Sequence, residues 1–82
     1  MDTNILKTVS DPTRLKILVR IRRGEICACE LPRSVKKTQP AVSQHLKTLL
    51  KAGLVSMRRD GQKRMYSISP KGKQILKDIS RW

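Results

Sequence analysis

Between Thr38 and Gly53, the side chains of Gln39, Ser43, Gln44 and Lys47 fall on one face of a helical period. Val42, Leu46, Leu49 and Leu50 fall on the other, the face such a helix turns to a core. The first face carries amides, a hydroxyl and an ammonium group. These groups hydrogen-bond to base edges and phosphates, and one α-helix fits the major groove of B-DNA. Thr38 and the free N–H groups at the helix start suit a phosphate, and Lys47, one turn further on, can reach the backbone. His45 lies at the edge of this face, where it either donates to a phosphate or packs on the preceding helix. Arg58, Arg59, Lys63 and Arg64 surround Asp60-Gly61, a tight-turn signal between two strand-like runs. Four cations near a hairpin tip suit the neighbouring minor groove, read by its shape, or its phosphates.

Cys27 and Cys29, either side of Ala28, are the two thiols of the chain. Thiolates so close suit soft ions such as arsenite, antimonite or cadmium. The pair also suits a thiol redox switch. Equally, the two residues can be small, partly buried hydrophobes with no chemical duty. An enzyme is a poor reading, because the chain has one His, no Gly-rich phosphate loop and no carboxylate pair within a motif.

The elements that must position these groups are marked by their punctuation. Residues 2–9 form a short helix with Ile5, Leu6 and Val9 on one side. Asp11-Pro12 starts a second, which runs to about Arg23, with Asp as cap and Pro at the first position. Leu15, Leu18 and Val19 lie along one side of it, with Ile17 and Ile21 widening the band. Glu25 to Glu30 reads as a connector. A third short helix runs from Leu31 to Val35 or Lys36, with Pro32 in its first turn. The groove-sized helix covers about 38–52, ended by Gly53. Strands at Leu54–Arg59 and Lys63–Ser69 make the hairpin, over about 54–69. Pro70 opens a last helix to Trp82, with Ile75, Leu76, Ile79 and Trp82 on its apolar side and Gly72 weakening its first turn.

Eighty-two residues make a single domain, 1–82, with an aliphatic core, since Phe is absent and Tyr66 and Trp82 are the only aromatics. The predicted class is mainly α with a β-hairpin wing, in the order α-α-α-α-β-β-α of a winged helix-turn-helix. Against 19 Lys+Arg stand 6 Asp+Glu, for a net charge of +13. No acid falls between Leu31 and Arg59. Such a balance points to a polyanion, nucleic acid before an anionic membrane surface. No apolar run approaches the roughly 18–20 residues of a membrane span, and no signal peptide is visible. A cytoplasmic protein with reduced thiols is therefore expected.

Four motifs in series carry a family likeness. Ser10-Asp11-Pro12-Thr13-Arg14-Leu15-Lys16-Ile17-Leu18 is followed by Glu25-Ile26-Cys27-Ala28-Cys29-Glu30-Leu31, then Gln39-Pro40-Ala41-Val42-Ser43-Gln44-His45-Leu46, then Ala52-Gly53-Leu54-Val55. Over about residues 5–68 the chain resembles the arsenic-repressor (ArsR/SmtB) family of metal-sensing transcriptional repressors. The resemblance implies a homodimeric repressor on a palindromic operator in double-stranded DNA, released when a ligand binds. It implies DNA contacts from the helix Gln39 to Lys51. It implies dimerisation through the first and last helices, about 2–9 and 70–82, by Ile5, Leu6, Val9, Ile75, Leu76, Ile79 and Trp82.

The cysteine pair matches the family's Cys-Val-Cys metal box. However, the place of the third thiol of arsenite sensors holds Pro32. The N-terminal thiols of some cadmium sensors are lacking, as are the His and Asp ligands that zinc sensors carry on the last helix. After Ser69 the chain looks more like other winged-helix regulators. Two alternatives therefore stand beside the metal-responsive repressor: a winged-helix regulator of another subfamily without metal response, and a non-specific, chromatin-type DNA binder.

Overall fold

The computed structural model describes residues 3–80. α1 (Thr3–Ser10) and α2 (Pro12–Arg22) meet at Asp11. The Asp11 carboxylate accepts the amide N–H groups of Thr13 at 2.9 Å and Arg14 at 3.0 Å, satisfying donors that every helix start leaves free. Its acidity is raised first by the Arg14 amide. The Thr13 amide, His45 and the Arg14 side chain add to this, and partial burial opposes it.

α3 (Leu31–Val35) and α4 (Gln39–Lys51) are joined by a turn that puts Lys36 at φ 58, ψ 47, the left-handed region. Thr38 then caps α4, its hydroxyl accepting the Ala41 N–H at 3.4 Å, with Pro40 in the first turn. This turn fixes α4 across α3 and α2.

The hairpin is β2 (Val55–Asp60) and β3 (Lys63–Ile68), paired from Val55 opposite Ile68 to Asp60 opposite Lys63. That register places the two-residue loop at Gly61-Gln62, one residue later than the expected Asp60-Gly61. Gly61 has φ 62, the positive value that the first loop position of a II′ hairpin requires.

A third strand, β1 (Ile26–Cys27), pairs with β3, Ile26 opposite Tyr66 and Cys27 opposite Met65, in the sheet order β1-β3-β2. The connector expected over Glu25–Glu30 is thus partly strand. Two residues are too few for periodicity to announce, and the strand forms because the exposed edge of β3 supplies its partners.

α5 (Pro70–Ser80) is docked by Ser69 and Gly72. The Ser69 hydroxyl donates to the Gly53 carbonyl at 2.6 Å and accepts the Gly72 N–H at 3.0 Å. A Cβ on Gly72 would run into the Leu54 carbonyl and the Ile68 side chain, so Gly72 is required by close approach. Sequence reading saw only its helix-weakening cost.

The core is an aliphatic cluster, centred on Ile17, Leu18, Ile21, Leu31, Val42, Leu49 and Leu54, with Tyr66 the one aromatic in it among the described residues. One expectation needs correction. Leu50, assigned to the core, is 39% exposed, because α4 turns that edge towards the hairpin. Ile5, Val9, Ile75 and Leu76, expected at a dimer interface, are buried within the single chain. Of the expected interface, Leu6 is exposed and Ile79 half-buried, while Trp82 lies outside the described residues.

Candidate nucleic-acid interface

α4 presents Gln39, Ser43, Gln44 and Lys47 as an exposed row, with Thr38 exposed at its head. The row follows from the same period that buries Val42, Leu46 and Leu49 on the opposite side. Facing it across an open cleft of about 900 Å3 stand Met57, Lys63 and Arg64 of the hairpin. No residue lining this cleft is acidic, while Lys47, Lys63 and Arg64 are cationic. Arg59 and Arg64 are direct cross-strand partners. Like charges so placed repel, and an anion between or beside them relieves that cost. The structure therefore brings together two walls, one of amides and hydroxyls, one of cations, suited to a base edge and its phosphate backbone.

Arg58, expected on the DNA side, is turned to an acid of the chain itself. Arg58 donates to Glu25 through Nε at 2.8 Å and a terminal nitrogen at 2.6 Å. The Arg58 hydrogen bond, then its charge, holds the Glu25 carboxyl below the usual range, partial burial opposing. Glu25 in turn raises the Arg58 pKa. The reason is strand alternation: Arg58 shares a face with Met65, away from the Met57–Tyr66 face that lines the cleft. His45 is half-buried, off the exposed row, and lies where its charge acts on Asp11 at the head of α2.

Cys27 and Cys29 line the same cleft. Cys27 is buried and Cys29 exposed, and their sulfurs are joined as a disulfide, with Cα atoms 5.2 Å apart. This differs from the reduced pair expected. The spacing falls within the range a disulfide accepts, because the turn after β1 folds Cys29 back; its N–H donates to the Cys27 sulfur at 3.2 Å. Between them, the Ala28 N–H donates to the Arg64 carbonyl at 2.9 Å. The cysteine turn is thus bonded directly to the cationic wall. Among the described residues no group of three or more His, Cys, Asp or Glu side chains could hold a metal ion.

Sequence reading missed Glu25, Ala28, Leu50 and Met57 as parts of this site. Glu25 and Ala28 join it through β1, which carried no signal. Leu50 and Met57 carried an ambiguous one, since an apolar residue at a helix or strand boundary position reads as core. Among the described residues no helix is long and apolar enough to cross a membrane.

The sequence profile described as "bacterial regulatory protein, arsR family" matches residues 11–57. The chain is 43% identical over 67 residues to the arsenical resistance operon repressor of Staphylococcus xylosus, covering 82% of this chain and 64% of that protein. It is 42% identical over 77 residues to the repressor of the same description from Staphylococcus aureus, covering 94% and 71%. It thus spans somewhat under two thirds of the first of these relatives. Among solved structures, NolR from Sinorhizobium fredii superposes with a TM-score of 0.87 at 37% identity, over 95% of this chain and 79% of that one. The winged helix-turn-helix architecture, the matched profile and these relatives agree: the chain belongs to the arsR family of bacterial regulatory proteins, a family of transcription regulators rather than enzymes.

Proposed function

We propose that the chain is a sequence-specific DNA-binding repressor acting as a homodimer on a palindromic operator. The observation that carries this reading is the acid-free cleft with Gln39, Ser43, Gln44 and Lys47 on one wall and Lys63 and Arg64 on the other. α4 enters the major groove, where Gln39, Ser43 and Gln44 meet base edges. Thr38 and Lys47 hold phosphates. Arg59, Lys63 and Arg64 of the wing meet the adjacent minor groove or its backbone. Arg58 and His45 support the site from behind rather than from the DNA side.

In a two-fold dimer, two copies of α4 would face successive major grooves about 34–36 Å apart. Among the described residues of the expected interface, the exposed Leu6 of α1 and the half-buried Ile79 of α5 are the apolar side chains available for that pairing. Release follows from chemistry at Cys27 and Cys29, by a soft metalloid or metal or by thiol oxidation. The Staphylococcus relatives are described as arsenical resistance repressors. The Ala28–Arg64 hydrogen bond supports a link between the cysteine turn and the wing.

Footprinting on the DNA upstream of the chain's own gene, at about 150 mM salt, tests the reading. Protection of one palindrome is expected. Even coating of all DNA would replace the repressor with a non-specific basic binder.

A further inference from the structure

Every helix end leaves carbonyls without a partner inside the helix. At the end of α4, Gly53 lies in the left-handed region at φ 76. Its N–H donates to the Leu50 carbonyl and the Leu54 N–H to the Leu49 carbonyl, both at 3.0 Å, a closing turn that glycine favours. Three later carbonyls find partners in the short segment 69–71 that opens α5. Lys71 Nζ donates to Ala52 at 3.0 Å, the Ser69 hydroxyl to Gly53 at 2.6 Å and the Ser69 N–H to Leu54 at 3.1 Å. The Ser69 hydroxyl in turn accepts the Gly72 N–H at 3.0 Å.

The place of these bonds ties them to the DNA site. Residues 52–54 are the whole chain link between α4, which ends at Lys51, and β2, which begins at Val55. α4 and the hairpin are the two walls of the cleft. Whatever holds that link therefore holds the angle between the polar row of α4 and the cations of the wing. Ser69 is buried, where an unbonded hydroxyl is costly. Lys71 is exposed, with solvent open to its ammonium. The ammonium nevertheless turns inward and the stem runs beside Gly53: a Cβ built on Gly53 would lie 3.9 Å from both Cδ and Nζ of Lys71. Neither ion pair among the described residues involves Lys71. A cation at this point meets the negative pole of α4.

We propose that Lys71 and Ser69 are positioning residues for DNA recognition. They clamp the link between α4 and the wing, and so set the angle at which Gln39, Ser43 and Gln44 meet base edges. Neither residue touches DNA. Lys71 is a cation that adds to specificity and not to the count of phosphates neutralised. The recognition role rests on the DNA-binding reading above; the clamp itself does not.

The test uses the full chain and two variants at an exposed position. Lys71→Met keeps an apolar stem and loses the donor and the charge; Lys71→Arg keeps both and can still bond a helix-end carbonyl. In the DNA-free protein, the Gly53 and Leu54 amides of Lys71→Met should exchange with solvent about fivefold faster, the scale of one net hydrogen bond. Lys71→Arg should restore the parent rate. The ratio of operator affinity to unrelated-DNA affinity should fall about tenfold in Lys71→Met, the scale of one disturbed base contact, and recover in Lys71→Arg. The slope of log K against log salt should stay at the parent value, since no phosphate contact is lost. Ser69→Ala should lower the same ratio, and Ser69→Thr, which keeps the hydroxyl, should not.

A slope shallower by about 0.9 in Lys71→Met would make Lys71 a phosphate contact and overturn its positioning role. So would an unchanged specificity ratio, or a loss that Lys71→Arg does not recover. Unchanged amide exchange would overturn the clamp. An unchanged ratio in Ser69→Ala would remove Ser69 from it. If the parent chain itself binds no operator, the repressor reading fails alone, and the exchange rates still decide the clamp.

Discussion

Gln44 lines the cleft and Glu25 pairs with Arg58 on the far face of the hairpin, and each has a distinct signature. Gln44 is exposed on α4 with an amide able to bond a base edge bidentately. Gln44→Ala should therefore cost about 1–3 kcal/mol on the preferred operator and relax the preference at one base position. Comparing affinities for the operator and its single-base variants checks this; a uniform loss on every sequence would reassign Gln44 to the backbone. Glu25 acts through Arg58. Its carboxyl is held below the ordinary value chiefly by the Arg58 hydrogen bond. A lowered carboxylate pKa means the pair is fully formed above the unfolded value and is lost as pH falls through the folded one. The Nε–H signal of Arg58, followed by NMR, should thus stay constant through neutral pH. It should move only in acid, below the usual carboxylate range, and Glu25→Gln should remove that step. A step at ordinary carboxylate pH would mean the two side chains do not pair in solution.

At the scale of elements, close approaches decide more than propensity. Gly72 lets α5 lie on the carbonyl of Leu54, so Gly72→Ala, normally favourable in a helix, should destabilise by about 1–3 kcal/mol through overpacking. Thermal unfolding measures this, and a stabilised variant would show that α5 docks elsewhere. The opposite sign is expected at Lys36, whose left-handed backbone costs a side-chain residue roughly 1 kcal/mol. Lys36→Gly should recover part of that without moving α4. The two sites show what the sequence could and could not say. α4 was legible because Thr38, Pro40 and Gly53 punctuate a run long enough for the 3.6 period to show. The hairpin was legible because alternating runs flank a glycine turn. β1 was not, because two residues have no period. The Glu25–Arg58 pair, 33 residues apart, depends on that hidden strand. The exposure of Leu50 depends on where the hairpin leans, which no local pattern encodes. Gly72 looked like a weak helix position because its neighbour across space lies 18 residues earlier in the chain, and only the docked structure supplies it.

For the whole molecule, a charge of +13 on 82 residues makes electrostatics the first term in any DNA complex and the easiest to misread as specificity. Each phosphate neutralised lowers the slope of log K against log salt by about 0.9. The total slope therefore counts contacts, and single variants show which cations are counted. Lys47 lies on the exposed row of α4 and lines the cleft. Lys47→Ala should make the slope shallower by about one unit while leaving the ranking of operator variants unchanged. Arg58 provides the internal control. Its guanidinium is held by Glu25, so Arg58→Ala should leave the slope nearly intact and act, if at all, through the set of the wing. Should Arg58→Ala flatten the slope as much as Lys47→Ala, the ion pair must open on binding, and Arg58 would return to the DNA side of the wing. Salt titrations of both variants beside the parent, on operator and on unrelated DNA, decide between the two arrangements because only a phosphate contact changes the slope on both.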